Sequence, residues 1–397
     1  MIQITDNDQE QKLLPIFRLG FRPFFLAGAL LSIISILLWM MVLTGKTTLP
    51  SQLPPTLWHA HEMLFGFSGA IIIGFLLTAV QNWTGLPGLK GTKLALLFAL
   101  WLMARIAFFV FPPDLFWLTI LLEISWMPLA ALALTKSVIT VKQWKNLFFI
   151  PLLLMMTILN AVNLFALQQY EYILAQQAIF SMLFLVLFII AVMGGRVIPF
   201  FTSKGTGTEK VAMILSLEYL CLAPLLLLAI LVWFPSVAAF SVPLALFAGI
   251  ANTIRLIRWK PQITLSVPLL WSLHLSYFML SLGLVFYALS LMMPSLNSIT
   301  MIHLSAIGGI GGVILAMISR VTLGHTGRSL HPSKWMSIAF IATALSAIAR
   351  VAIPFILPQA PMMAYAISAL FWCTAFILFV LFYAKMLLSA RVDNRPG

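Results

Sequence analysis

Residues 58–80 read WHAHEMLFGFSGAIIIGFLLTAV, and this segment is the clearest indication of the fold. Residues 64–80 carry no charge, which is typical of a helix that crosses a lipid bilayer. Two histidines and a glutamate, His59, His61 and Glu62, stand at the mouth of this apolar run. Ionisable side chains at such a place are costly and usually mark a functional site. The stretch therefore predicts a membrane span with a site at its mouth.

The rest of the chain continues this pattern, because 62% of its 397 residues are hydrophobic and only 8% are charged. A soluble domain of this size cannot bury that much apolar surface. A span needs roughly 20 apolar residues, and the sequence predicts twelve. They cover about residues 24–43, 58–80, 93–111, 114–134, 146–166, 172–197, 212–233, 237–254, 266–292, 299–320, 335–356 and 361–387. We therefore expect an all-α polytopic membrane protein with a single transmembrane domain over residues 1–397.

The net charge of +13 follows the predicted topology rather than a nucleic-acid surface. With twelve spans, 20 of the 23 Lys and Arg residues fall on the side that holds both termini. The other three are Lys46 on the opposite side and Arg105 and Arg350 within spans. By the positive-inside rule, both termini are expected in the cytoplasm, and nucleic acid is not an expected partner.

Spans 2, 6 and 10 end alike, in TAVQNWTG (78–85), RVIPFFTSKGTG (196–207) and RVTLGHTGR (320–328). Each ends on Thr-Gly, at offsets of 122 and 120 residues, about the length of four helices. A single Thr-Gly pair would indicate nothing, since both residues are common after helices. Three pairs in register predict three pseudo-repeats of four helices, over about residues 24–134, 146–254 and 266–387.

The repeat relates two histidines, because an offset of 242 residues carries His61 onto His303, at the outer mouth of span 10. We predict that His61 and His303 hold a haem between them, since imidazole suits haem iron and a helical bundle suits an apolar ring. The structural alternative is that each is a hydrogen-bonded polar group near the membrane interface. Small residues are expected to leave space beside both helices: Gly66, Ser68, Gly69, Ala70 and Gly74 in span 2, and Gly308, Gly309, Gly311 and Gly312 in span 10.

His59 is expected to serve a second centre, because residues two apart on an α-helix point about 200° apart. Glu62 and Met63, at i+3 and i+4, share its face. Imidazole and thioether suit copper, so His59 and Met63 are candidate copper ligands. Glu62 is also the candidate proton donor.

Other polar residues allow two interpretations each. His274 in span 9 is either a metal ligand or a satisfied structural histidine, and His325 is either a second-site ligand or a cap on a helix end. The arginines of the cytoplasmic rim, Arg196, Arg320 and Arg328, satisfy the positive-inside rule and are candidates for binding haem propionates. Arg105 and Glu123, on neighbouring spans, are expected to form an ion pair.

Five motifs in order resemble the NnrS family: IFRLGFRPFFLAG (16–28), WHAHEMLFGF (58–67), GFLLTAVQNWTG (74–85), GGRVIPFFT (194–202) and RVTLGHTGR (320–328). The resemblance implies a multi-pass protein of the bacterial inner membrane, with bound haem and copper and a role in the response to nitric oxide. The chain has no C-x-x-C-H motif for covalent haem, so a b-type haem is expected.

The predicted helices also resemble, more distantly, subunit I of haem–copper oxidases and nitric oxide reductases. That subunit has twelve helices in three groups of four, and its His-x-His pair provides ligands to two haems. Its copper ligands come from helices 6 and 7, but residues 178–234 contain no histidine here. Copper must therefore use His59, Met63 or another histidine, and the fold alone does not fix the function.

Three functions are consistent with these residues. The first is a haem–copper redox protein that binds or reduces nitric oxide, a nitric oxide reductase-type oxidoreductase with a quinol or a cytochrome as electron donor. The second is a membrane transporter, although major transporter classes have two six-helix halves rather than three repeats. The third is a non-catalytic haem sensor or a metallochaperone.

Overall fold

The computed structural model describes residues 10–49, 53–393, 395 and 397. Over these residues the chain forms helices joined by turns, without a strand. Eleven of the described helices are long and apolar enough to cross a membrane. Large apolar side chains remain exposed along them, for example Leu381 and Leu370. In a bilayer, lipid covers such side chains. The prediction of an all-α polytopic membrane protein is therefore confirmed.

The helices follow the predicted spans in order. They are α1 (Phe21–Leu43), α2 (Pro55–Thr84), α3 (Gly91–Val110), α4 (Phe116–Thr140), α5 (Phe149–Gln168), α6 (Tyr172–Thr206), α7 (Leu215–Leu231), α8 (Ser241–Arg258), α9 (Pro268–Met292), α10 (Ser298–His325), α11 (Lys334–Ile356) and α12 (Pro361–Leu388). Helix α7 has 17 residues, near the lower limit for a span. The count of twelve spans therefore stays a prediction.

The chain forms two compact units. The first consists of Met1–Ile179, Val321–Ser329 and Val380–Gly397, and it contains α1 to α5. The second consists of Phe180–Arg320 and Leu330–Phe379, and it contains α7 to α9 and α11. The single domain and the three repeats expected from the sequence stay predictions.

Helices α2 and α10 both depart from α-helical geometry directly after a histidine. In α2 the segment Glu62–Ser68 is a π-helix that follows His61. In α10 the segment Leu304–Gly311 is a π-helix that follows His303. The two segments begin 242 residues apart, the same offset that relates the two histidines. π-helical turns are rare in proteins, and those that occur often lie at functional sites. Their positions therefore indicate that these two histidines are candidate functional residues.

The three Thr-Gly pairs end their helices in the same way. The hydroxyls of Thr84, Thr206 and Thr326 each donate to the carbonyl four residues earlier, at 2.7 Å. The glycines that follow have φ values of 69°, 68° and 76°, in the left-handed region. Glycine adopts this conformation without the strain of a Cβ atom. The helix ends predicted from the three motifs are therefore confirmed.

The glycines of α2 and α10 bring neighbouring helices close instead of leaving space for a ring. A Cβ atom at Gly74 would lie 2.8 Å from Cβ of Phe24. One at Gly309 would lie 2.8 Å from Cα of Leu280. The expectation of open space beside these glycines is therefore wrong, because close helix packing in the membrane uses the same small residues.

The tightest of these approaches lies in the second unit, between α9 and the π-helical segment of α10. A Cβ atom at Gly283 would overlap the backbone nitrogen and hydroxyl of Ser305. We expect Gly283→Ala to lower the stability of the protein by about 1–3 kcal/mol, because the backbone it meets cannot move aside. Thermal unfolding in detergent measures the effect. The control is Gly205→Ala, whose Cβ would meet only the flexible tip of Leu270, and equal melting temperatures for both variants would contradict the prediction.

Candidate functional site

The buried charges of the first unit meet where the π-helical segment of α2 begins. Arg105 on α3 lies between two carboxylates, those of Glu62 on α2 and Glu123 on α4, and all three side chains are buried. Its Nη1 donates to Oε1 of Glu62 at 2.7 Å, and its Nη2 donates to Oε1 of Glu123. The ion pair predicted between Arg105 and Glu123 is therefore confirmed, and Glu62 joins it.

Both ring nitrogens of His61 face hydrogen-bond acceptors. Nδ1 lies 3.1 Å from Oε1 of Glu62, and Nε2 lies 2.9 Å from Oδ1 of Asn160 on α5. The orientation of the Asn160 amide is fixed by its Nδ2, which donates to Oε2 of Glu123 at 3.3 Å and to the Glu123 carbonyl at 3.4 Å. The His61 ring is therefore held by a hydrogen bond at each of its two nitrogens.

These four side chains form a buried network, which we call the α2 ion network: His61, Glu62, Arg105 and Glu123. Arg105 bridges the two carboxylates, and buried ions are tolerated when paired and hydrogen-bonded in this way. Gly66 provides the room, because a Cβ atom there would lie 2.6 Å from Nη1 of Arg105.

Ligand atoms of His61, Glu62 and Glu123 lie within 4.8 Å of one another, and all three residues are buried. Nitrogen and carboxylate oxygen donors at that spacing suit a divalent metal. Arg105 already pairs with both carboxylates, however, and both ring nitrogens of His61 have hydrogen-bond partners. The α2 ion network therefore fits an internal salt bridge better than a metal centre. Ligation by His61 and proton donation by Glu62 stay predictions.

His59 lies in a different environment. Its ring stacks on Trp39, with ring centroids 4.4 Å apart and planes 20° apart. The Glu62 carboxylate contacts His61, and the expected grouping of Glu62 with His59 stays a prediction. Copper ligation by His59 and Met63 stays a prediction.

The ring of His303 is hydrogen-bonded to the preceding turn of its own helix, as the ring of His274 is. Its Nδ1 donates to the carbonyl of Ile299, so the lone pair of the neutral ring is on Nε2. Histidines that bind metals commonly donate their other nitrogen to a carbonyl in this way. The side chain is half-buried.

His274 has the contacts of a satisfied structural histidine, and His325 packs against an aromatic ring at the end of α10. Nδ1 of His274 donates to the carbonyl of Leu270 at 3.0 Å, and its Nε2 lies 3.4 Å from the hydroxyl of Thr202. His325 ends α10, and its ring lies 5.6 Å from the ring of Phe21. Metal ligation by either histidine stays a prediction.

The arginines predicted to bind propionates have different surroundings. Arg196 is exposed on α6. Arg320 is buried, with its guanidinium 3.9 Å from the centroid of the Phe201 ring. Nη1 of Arg328 lies 3.4 Å from the carbonyl of Thr326. Their role in binding propionates stays a prediction.

A second buried network lies in the second unit around Arg255 of α8. Its Nη1 donates to Oε2 of Glu218 on α7 at 2.7 Å, and its Nη2 donates to the carbonyl of Ala191 at 2.7 Å. The hydroxyl of Tyr277 on α9 also contacts this guanidinium. We call these residues the α8 network, and it joins four helices through one guanidinium.

Sequence reasoning missed Asn160, which forms a hydrogen bond with Nε2 of His61, and gave no role to Arg350, which lies on α11. Both are polar residues in long apolar segments, and such residues signal a function or a buried partner. The sequence alone does not say which helix faces them, so their partners were not predictable.

A family model described as NnrS protein matches residues 15–391, nearly the whole chain. No curated protein matches the chain.

Proposed function

Because this chain belongs to the NnrS family, we propose that it is a membrane protein of the nitric oxide response that binds haem through His303. We further propose that it resides in the bacterial inner membrane, crosses it twelve times and has both termini in the cytoplasm. The charge pattern of the loops supports this orientation. The apolar α7, although short, has the length of the shortest spans.

The observation that carries the haem assignment is the ring of His303. Its Nδ1 hydrogen is committed to the carbonyl of Ile299, which leaves the lone pair on Nε2 and holds the ring in one orientation. The π-helical segment that starts at Leu304 is a second feature typical of functional sites. Haem iron bound there would supply the binding site for nitric oxide.

The two π-helical segments and the three Thr-Gly caps support the proposed repeats. The two π-helical segments begin 242 residues apart, and the successive Thr-Gly caps are 122 and 120 residues apart. In this interpretation α2 and α10 are related helices with different tasks. The histidine of α10 donates to a carbonyl of its own helix, whereas the histidine of α2 belongs to the α2 ion network.

Copper, the second metal that the resemblance implies, is proposed to bind outside the α2 ion network. His59 and Met63 are the candidates, since imidazole and thioether donors both suit copper. Metal analysis of the His59→Ala and Met63→Ala variants, compared with the wild type, tests this assignment. Unchanged copper content in both variants would exclude these ligands.

We expect His303→Ala to remove the haem spectrum of the purified protein, because it deletes the nitrogen that would bind the iron. The measurement is the Soret band together with a pyridine haemochrome assay. His331→Ala is the matched control, since His331 is exposed in the loop before α11. If His303→Ala keeps the wild-type haem content and spectrum, the assignment to His303 is wrong. A wild-type protein without a Soret band would instead support the transporter.

Nitric oxide consumption separates an enzyme from a sensor. The reduced wild-type protein is mixed with nitric oxide, and the gas is followed with an electrode while quinol is supplied. Continued consumption supports a reductase that takes electrons from quinol. A single stoichiometric uptake, with a shifted Soret band, supports a protein that binds nitric oxide without turnover.

A further inference from the structure

Seven arginines are buried in the part of the chain that the structure describes, and five have partners suited to them. Arg105, Arg255 and Arg391 pair with carboxylates, and Arg18 and Arg22 donate to backbone carbonyls. The remaining two are Arg320 and Arg350, and no carboxylate of the described residues lies within ion-pair distance of either. A buried charge without a counter-ion is costly, so an arginine in this state is suited to receive an anion.

Arg350 lies on α11 with only 7% of its surface exposed. Its Nη1 is 3.4 Å from the hydroxyl of Thr300, and its Cζ is 4.5 Å from the centroid of the Tyr365 ring. A long hydrogen bond to a neutral hydroxyl and a ring face stabilise the guanidinium in place. They do not neutralise its charge, and most of its five N–H donors remain available to an oxyanion.

Arg350 reaches the helical turn that carries His303. Thr300 and His303 are three residues apart at the start of α10, so they lie on one face of that turn. Ala347 and Val351, on either side of Arg350 along α11, belong to one apolar cluster with Met301 and Leu304 of α10. The side chains of α11 therefore pack against the turn of His303.

We propose that Arg350 binds an anionic carboxylate of the ligand held at His303, namely a propionate of the haem. This inference rests on the proposed function. A guanidinium binds a carboxylate with two parallel hydrogen bonds, which fixes both the position and the rotation of the group. His303 would then bind the haem iron, and Arg350 would bind a propionate of the same haem.

Arg320, the buried arginine that the sequence suggested for this role, is too far along the helix. It follows His303 by 17 residues on α10, or about 25 Å at 1.5 Å per residue. One haem cannot reach both positions. Arg320→Gln therefore provides a matched control, because it also removes a buried, unpaired guanidinium from the second unit.

The test compares haem with its dimethyl ester, in which both propionates are uncharged. Full-length apo-protein in detergent is titrated with each, and the Soret band reports binding. We expect the wild type and Arg320→Gln to bind haem roughly 10- to 100-fold more tightly than the ester, the ratio for one charge-assisted contact. Arg350→Gln is expected to bind both alike, and Arg350→Lys to keep part of the preference because it keeps the charge.

The outcomes are separable. If Arg350→Gln keeps the wild-type preference for haem, or if Arg320→Gln loses it, the assignment to Arg350 is wrong. If Arg350→Gln instead releases bound phospholipid, measured as phosphorus, and keeps the preference, the anion is a lipid phosphate and the proposal fails. A wild type that gives no Soret band with either compound overturns the proposed function, whereas a Soret band with equal affinities overturns only the role of Arg350.

Discussion

Replacing Arg105 by methionine is expected to destabilise the protein by about 3–5 kcal/mol, the cost of removing one partner from a buried ion pair. The α2 ion network loses the guanidinium that joins Glu62 to Glu123. Glu62 and Glu123, which are both buried, then lose the counter-ion that they share. We expect a lower melting temperature in detergent and a smaller yield of monodisperse protein in size-exclusion chromatography.

Two further variants separate charge from shape at this position. Arg105→Lys keeps the charge but cannot bridge two carboxylates with a planar fork, so an intermediate loss is expected. The double variant Arg105→Met with Glu123→Gln should recover part of the stability, because it removes one orphaned charge. Lys93→Met on the same helix is the control, since Lys93 is exposed. If Arg105→Met and Lys93→Met have the same melting temperature, the α2 ion network does not contribute the stability assigned to it.

Replacing Arg255 by methionine is expected to destabilise the second unit by about 3 kcal/mol. The α8 network loses its centre, and the Tyr277 hydroxyl and the Ala191 carbonyl lose a charged donor. The loss is smaller than at Arg105, because the Glu218 side chain is 17% exposed and keeps some contact with solvent. Thermal unfolding measured as for Arg105 gives the comparison.

The matched control for this prediction is Arg258→Met, three residues further along α8. Arg258 donates only one exposed bond, to the carbonyl of Ala212 at 3.2 Å. We expect its removal to change the melting temperature little. Glu218→Gln should cost less than Arg255→Met, because the buried guanidinium keeps its other acceptors. The reverse order would show that Glu218, rather than Arg255, organises the α8 network.

The two networks differ from the surroundings of Arg350 in a way that bears on function. Arg105 and Arg255 are neutralised by the protein itself, so their sites are complete. Arg350 is held by a hydroxyl and a ring, which leave its charge unmatched. Buried charges of the first kind stabilise helix packing, and one of the second kind is suited to bind a ligand.

The membrane character, the order of the helices and their Thr-Gly ends could all be predicted from the sequence. These properties depend on runs of about 20 apolar residues and on capping bonds between residues four apart, so they are local. The π-helical turns after His61 and His303 were not predicted, because α-helical spacing was assumed throughout.

Apart from the pair of Arg105 and Glu123, the partners of the buried polar side chains were decided by the packing of the helices. Glu62 and Arg105 are 43 residues apart, and His61 and Asn160 are 99 residues apart. Their contacts depend on how each helix is rotated about its axis, and the sequence does not specify this rotation when nearly every face of a helix is apolar. The same packing enclosed His61 in the α2 ion network and left Arg350 beside the turn of His303, with no carboxylate of the described residues to pair with it.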